Sequence, residues 1–518
     1  CDLRSPVKEW VKDLRGQTES ECLSALQAKS VAVEPDALEA LSIRNAQICI
    51  YKLRCQSVDV IDSLDFLIDK LPLSKEDLQS YGNAFNTVCQ KICEVIELCR
   101  RRGCDFSPYK RSKVSTAVST ICQQIIELLN DFQAKRVVNN AQLEAYLRKL
   151  KERLGELVNL TIRRDCQVIS DSLLNTGSHL CLKWSLLALW QLTQNDAYIC
   201  RIFTEMPKVI LRLINIFSNN RSPSQCQANL KAASLRVLSY LCINPEAIVQ
   251  IYELMDFKRD LIAKLENEKN ETVLREASAL IVQLTTPFID LKRISNKDNE
   301  VAQLISKIPI SSLIKLLTDI SSYTNSTEVF LLVSASLANV SFLETDAFIY
   351  YETLWILLLK LKQKLNFNQL SIKDQMITII ANVSSKFPLE VVNCGGLMFL
   401  MSALQLQPML GMQSENDLNS IERMQQKVAA ALARLGNQRS VATLIFRLNG
   451  VHRLVQLCKD PKERNFSDTV LLASLAALRR ISNVIGKTAL KELNALDLID
   501  LNFRDSFVLY SSKNESYV

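Results

Sequence analysis

Apolar residues crowd the stretch Glu328–Glu344, EVFLLVSASLANVSFLE, on nearly every side of a helix: Leu331, Leu332, Val333, Ala335, Leu337, Ala338 and Val340. A helix that is apolar all round must be buried. Its kernel, LANVS (Leu337–Ser341), returns as IANVS (Ile380–Ser384). Weaker copies read LWQLT (Leu189–Thr193), LSYLC (Leu238–Cys242), IVQLT (Ile281–Thr285), LARLG (Leu432–Gly436) and LRRIS (Leu478–Ser482). Their central residues fall at 191, 240, 283, 339, 382, 434 and 480, with gaps of 49, 43, 56, 43, 52 and 46. A single unit of three short helices cannot bury such a segment, but stacked neighbours can.

An all-helical unit recurring at about 40–47 residues is the mark of armadillo or HEAT repeats. The pattern therefore predicts an all-α chain with an armadillo-repeat solenoid over 177–505. The longest gaps predict surface insertions, placed near Lys292–Val301 and Pro408–Asn419, the latter polar with Gly411 and Met412. An irregular α-solenoid or one large bundle is the alternative that the same pattern allows.

Ahead of the repeats, residues 42–176 read as a helical bundle that caps the solenoid, since terminal repeats need an altered outer face. Amphipathic periodicity predicts helices over Leu53–Leu71, Ala84–Cys99, Val114–Phe132 and Gln142–Leu174, with breaks at Pro72, Gly103 and Pro108. The basic cluster Arg100-Arg101-Arg102, with Lys110, Arg111 and Lys113, flanks a loop and reads as a solvated linker.

Residues 1–41 are organised differently. Ser5-Pro6 sets a helix start, with Ser as N-cap and Pro at the first helical position. Val7, Trp10, Val11 and Leu14 then recur at helical spacing, and Gly16 ends that helix. Thr18-Glu-Ser-Glu21 is a capping box opening a second short helix with Cys22, Leu23 and Leu26 on one face. Pro35 biases Glu34 toward an extended backbone, so Glu34 and Asp36 are expected on an extended acidic tail. Such a leader cannot make a core alone. It is either a helical segment that docks on the chain's own body or a linear segment that folds into a partner's groove.

Composition narrows the function classes. Hydrophobic residues make up 48% of the 518-residue chain, with only 11 Gly and 12 Pro, which suits helices. The net charge of +7 is mild for this length and does not indicate a nucleic-acid partner. The leader carries 8 acidic and 5 basic residues, against the basic balance of the remainder. The 16 Cys show no metal-ligand spacing; most, such as Cys89, Cys93, Cys181 and Cys200, sit inside apolar helical pattern as small hydrophobes. They read as reduced cytosolic thiols. The apolar run Leu354–Leu359 stops at Lys360, too short to span a bilayer. The sequons at Asn339 and Asn382 fall on helices predicted to be buried. The chain begins with Cys, so an upstream segment is expected.

No catalytic constellation emerges. The two His, His179 and His452, have no acidic pattern around them, and no phosphate loop, GxSxG or HExxH is present. No catalytic residue, metal ligand or cofactor is assigned. The final residues, Glu515, Ser516, Tyr517 and Val518, form a Ser-x-hydrophobic ending that a PDZ domain could take as an added strand.

VKEWVKDLRGQTESECLSALQAK (Val7–Lys29) resembles the Pins-binding segment of the Inscuteable family. EVFLLVSASLANVSFLETD, QKVAAALARLG and CKDPKERNFSDTVLLASLAALRRIS are similar to that family's armadillo repeats, and ESYV to its PDZ-ligand ending. The resemblance implies a cytoplasmic, non-catalytic adaptor of asymmetric cell division at the apical cell cortex. Its leader would bind the tetratricopeptide groove of Pins (LGN in vertebrates), while repeats and tail engage the polarity scaffold Bazooka. That would link polarity to Pins, Gαi and Mud, and so orient the spindle.

Carried onto this sequence, Trp10, Val11 and Leu14 are the apolar anchors. Glu19, Glu21, Leu23, Leu26 and Gln27 continue along the groove, and Glu34 and Asp36 are its acidic contacts. A higher-order hetero-oligomer with Pins is a further expectation, if the leader and a second surface reach different Pins molecules. In armadillo proteins an Asn of the third helix lines the concave groove and bonds an extended peptide. Asn339 and Asn382 match that position, whereas Gln191, Tyr240, Gln283, Arg434 and Arg480 break the ladder. The alternative for each Asn is a polar residue at a helix edge that bonds the adjacent loop. A generic armadillo cargo or junction adaptor is the competing reading. It is disfavoured because Trp184, Trp190 and Trp355 do not pair with Asn339 and Asn382 as in transport receptors.

Overall fold

The computed structural model describes residues 35–71, 78–100, 113–134, 140–194, 196–206, 208–219, 225–292, 300–363, 369–407 and 415–511. Every regular element among them is helical. The chain divides into two compact units, Cys1–Leu192 and Thr193–Val518.

The first unit is a bundle built on α1 (Pro35–Asp69), α2 (Leu78–Arg100), α3 (Lys113–Ala134) and α4 (Asn140–Asn175). Along α1, Ile43, Ala46, Ile50, Leu53, Ser57, Val60, Leu64 and Leu67 alternate at spacings of three and four, and all are buried. That heptad seam is the pattern of helices lying nearly antiparallel. It packs chiefly on α4, whose Leu147, Leu150, Leu154 and Leu157 answer it. Polar ties fix the direction: Ser172 donates to Glu39 at 2.6 Å at one end, and Lys151 pairs with Asp65 at 2.5 Å at the other. Tyr81 donates to Leu67 O at 3.1 Å, and Tyr146 to Leu128 O at 2.6 Å. A fifth helix, α5 (His179–Thr193), is tied to α1 by Cys181 Sγ donating to Asp36 O at 3.2 Å and by the Gln47 amide donating to Gln191. The first copy of the repeat kernel, Leu189–Thr193, thus closes a helix held by the first unit.

Residues 35 and 36 correct one expectation. Pro35 does not hold an extended tail; it opens the 35-residue helix α1 with Asp36 in the first turn. Proline's fixed φ and missing N–H suit the first helical position. An acidic side chain there meets the positive end of the helix dipole. The buried seam from Ile43 onward extends the helix across the boundary placed after residue 41.

The second unit repeats one motif. Two helices lead into a third that is as long or longer, and six such triplets lie among the described residues. The third helices are α6 (Gln225–Leu241), α7 (Glu271–Thr285), α8 (Thr327–Val340), α9 (Leu370–Val383), α10 (Glu415–Leu435) and α11 (Asp468–Ile485). Each packs on the next, α6 to α7 through to α11, as an α-solenoid requires. Their apolar kernels are sealed: Leu337, Val340, Ile380, Val383, Leu432 and Leu435 are fully buried. Residues 415–419, expected in an insertion, instead begin α10.

Local signals set the triplet. Asn270, Ser326 and Ser467 cap α7, α8 and α11 by accepting from their first-turn amides. The corner between first and second helices uses a left-handed residue in four triplets: Lys208, Glu352, Gly395 and Asn449, with φ of 70, 51, 88 and 61°. At two of these corners the next residue is Gly, because the backbone comes too close for a side chain. A Cβ on Gly396 would lie 2.8 Å from Val391 O, and one on Gly450 would lie 2.9 Å from Ile445 O.

Gly396→Ala should therefore lower the unfolding free energy by about 1–3 kcal/mol, since backbone must shift to admit a methyl group. Chemical denaturation of the full chain checks this; an unchanged midpoint would show that the corner is slack.

Candidate functional site

Three surfaces carry the residues singled out from the sequence. The first is the leader and its continuation into α1. Trp10, Val11, Leu14, Glu19, Glu21, Leu23, Leu26, Gln27 and Glu34 lie outside the described residues, as do Glu515, Ser516, Tyr517 and Val518. Asp36 is described and exposed on the first turn of α1. Beyond it, the outward face of α1 mixes apolar residues with the exposed charges Arg44, Lys52, Asp59 and Asp62. Leu41, Ile48, Tyr51, Val58 and Phe66 are exposed, Tyr51 by 68%. At about 100° per residue they centre roughly half a turn from the buried seam. The helix thus buries one apolar seam and leaves five large apolar side chains exposed on the opposite side.

The second surface follows the third helices. Asn339 Nδ2 donates to Thr285 Oγ1 at 3.1 Å, and Asn382 Nδ2 donates to Ser341 Oγ at 2.8 Å. Each acceptor hydroxyl also donates back within its own helix, Thr285 to Ile281 O at 2.8 Å and Ser341 to Ala338 O at 2.8 Å. The third residue of one kernel therefore bonds the fifth residue of the kernel before it. Thr285 and Ser341 are buried, so the rung satisfies both functions of a hydroxyl that water does not reach. Arg434 makes a related rung, donating to Ala381 O. The structure thus joins each Asn to its neighbouring repeat, and both side chains stay half-buried.

Charges on the same helices are used in the same way. Arg236 reaches Glu276 at 2.6 Å, and Arg275 bridges Glu276 at 2.7 Å and Glu328 at 3.7 Å, linking α6, α7 and α8. The Glu276 carboxylate, as a hydrogen-bond acceptor, pushes the Arg275 guanidinium above its usual range. Lys427 donates to Asp374 at 2.8 Å and Thr378 at 2.9 Å across α9 and α10. Burial lowers the Lys373 amine on α9. Cations here are engaged by neighbouring acids rather than ranked along an open basic groove.

Sequence reading missed the rungs. Their signal was present: the fifth kernel residue is Thr193, Cys242, Thr285, Ser341, Ser384, Gly436 or Ser482, small in every copy. At Gly436 a Cβ would meet Ile481 Cγ1 at 2.5 Å, which shows how tightly the next helix approaches. His179 and His452 are both exposed, at or near the start of their helices.

The third surface is a shallow cavity of about 350 Å³ within the second unit, lined by Phe348, Glu352, Leu354, Trp355 and Glu390 among others. No helix among the described residues is long and apolar enough to cross a membrane.

These features define a class: an all-α, armadillo-type solenoid. The profile of the Inscuteable C-terminal region matches residues 104–518, and that of the Inscuteable LGN-binding domain matches residues 5–47. The chain belongs to the Inscuteable family, whose members are non-catalytic adaptors. It is 28% identical over 545 residues to the human protein inscuteable homolog, spanning 99% of this chain and 87% of that one. The mouse homolog gives 28% over 540 residues with the same coverage. Among solved structures, an engineered protein covers 81% of this chain and 99% of its own at 16% identity and TM-score 0.41. A chain from work on a phosphorylation switch between cadherin and beta-catenin covers 81% of this chain and 72% of its own at 12% identity and TM-score 0.46.

Asn382→Ala should cost about 0.5–1.5 kcal/mol, because it leaves the buried Ser341 hydroxyl without its donor. Paired with Ser341→Ala in a double-mutant cycle, it should give a coupling of about 0.5 kcal/mol or more. Additive losses in denaturation would show that the rung carries no energy.

Proposed function

We propose that this chain is an adaptor whose leader occupies the tetratricopeptide groove of LGN/Pins while its repeats hold a polarity scaffold. The observation that carries this reading is the match of residues 5–47 to the LGN-binding domain. The match runs through the leader and into the first turns of α1. Trp10, Val11 and Leu14 serve as apolar anchors, with Glu19, Glu21, Leu23, Leu26 and Gln27 following along the groove. Glu34 and Asp36 serve as acidic contacts, Asp36 now at the N-terminal end of a helix. The exposed apolar residues that start at Leu41 supply the surface on which the partner's contact continues.

In this reading the second unit, 193–518, engages a Bazooka-type scaffold, and Glu515 to Val518 act as a PDZ ligand. The rungs leave one N–H and the carbonyl oxygen of Asn339 and of Asn382 for a peptide backbone in the concave groove. The two attachments join the polarity complex to LGN/Pins and Gαi at the cytoplasmic face of the apical cortex. They thereby orient the mitotic spindle in asymmetric division. The exposed apolar residues of α1 are also a second surface through which a higher-order assembly with LGN/Pins forms.

Calorimetry of the full chain against the tetratricopeptide domain of LGN tests the leader. Trp10→Ala should weaken binding at least about tenfold, since a buried aromatic anchor is worth roughly 2–4 kcal/mol on truncation. Leu41→Asp should weaken it while leaving the melting transition in place, because Leu41 is 44% exposed. Ala46→Asp, at a fully buried position, should instead unfold the bundle. Unchanged affinity in both Trp10→Ala and Leu41→Asp contradicts the proposal.

A further inference from the structure

The cavity between the helix pair Thr345–Tyr350 and Thr353–Gln363 and the helix Pro388–Asn393 has no role in the adaptor reading above. Its floor is apolar, from Phe348 and Leu354, both buried. One wall is Trp355, which is 49% exposed. Two carboxylates, Glu352 and Glu390, complete it, and both are exposed. The nearest acid in sequence that does hold a cation is Asp346, which pairs with Lys386 at 2.5 Å. Neither Glu352 nor Glu390 has an ion pair among the described residues.

Glu352 is also held at a local cost. It occupies the left-handed corner that the next two triplets fill with Gly395 and Asn449, at φ of 51°. Glycine and asparagine tolerate that region, and a long side chain does so poorly. The sequence keeps a carboxylate at a corner where glycine would relieve the backbone.

An indole face beside two unpaired carboxylates, over an apolar floor, is complementary to one side chain above others. A guanidinium stacks flat on tryptophan while its N–H fork meets carboxylate oxygens. Its weak hydration lets it leave water more readily than an ammonium does. We propose that this cavity is a docking site for an arginine side chain presented by a partner polypeptide, with Trp355 as the stacking platform and Glu352 and Glu390 as the charge partners. Leu389, next to Glu390 on the same helix, is exposed and would meet an apolar neighbour of that arginine.

The test uses the full chain and two fluorescein-labelled peptides, Gly-Ser-Leu-Arg-Leu-Ser-Gly and its citrulline analogue, followed by fluorescence anisotropy. The arginine peptide should bind saturably, and the neutral isostere citrulline should bind at least about tenfold more weakly. Trp355→Ala and the pair Glu352→Gln with Glu390→Gln should each abolish the difference. Glu352→Gly should lose binding while keeping or raising the melting temperature, which separates the site from the fold. Equal binding of the two peptides, no saturable binding of either, or binding that survives in the Trp355→Ala chain would each overturn the proposal. So would self-association of the chain that Trp355→Ala disrupts, since a second copy would then be the occupant.

Discussion

The structure depends on the close approach of successive third helices. Each kernel must bring an apolar helix against the next with no room for water. The small fifth residue is what permits it. In two copies that residue is a buried hydroxyl that the following repeat answers with an amide, Asn339 for Thr285 and Asn382 for Ser341. Packing and hydrogen bonding then point to the same register. A slip of one residue along either helix would lose both. The left-handed corners and the buried kernels of the shorter helices serve this contact by returning the chain to the stack at a fixed height.

The consequence for function is a division of labour along the chain. The solenoid ties several of its side chains to neighbouring repeats, as Arg236 and Arg275 do at Glu276 and as one N–H each of Asn339 and Asn382 does. The cavity beside Trp355 has an aromatic and acidic lining. The bundle follows a related logic. Helix α1 carries an apolar seam for its own core and exposes large apolar residues such as Leu41 and Tyr51, and the family match that covers the leader ends within that helix.

Much of this was legible in the sequence. The kernels stood out because a helix with no polar face has one fate, and their near-constant spacing implied stacking before any contact was known. The bundle helices at 84–99, 114–132 and 142–174 were placed to within a few residues, since amphipathic period is a local property. Less was legible where one residue type serves two purposes. Pro35 reads as a breaker of the segment before it and is in fact the opener of α1. The polar run after Pro408 reads as loop, yet its last residues start α10, because burial of Ile421, Met424 and Val428 carries the helix upstream. The Trp355 cavity draws residues from three helices, and nothing in the linear order sets Glu352 beside Glu390. The rungs between repeats needed the stack itself.

The central claim is that attachment to LGN/Pins requires the leader, with the start of α1 only continuing its contact. The most direct measurement is calorimetry of the LGN tetratricopeptide domain against the full chain and against a chain lacking residues 1–34. That deletion leaves α1 whole, since the helix opens at Pro35. The account predicts an unchanged melting transition and an affinity lowered at least about a hundredfold, the loss of roughly 2.8 kcal/mol or more. Equal affinity for the two chains would contradict it and move the attachment onto the bundle or the repeats.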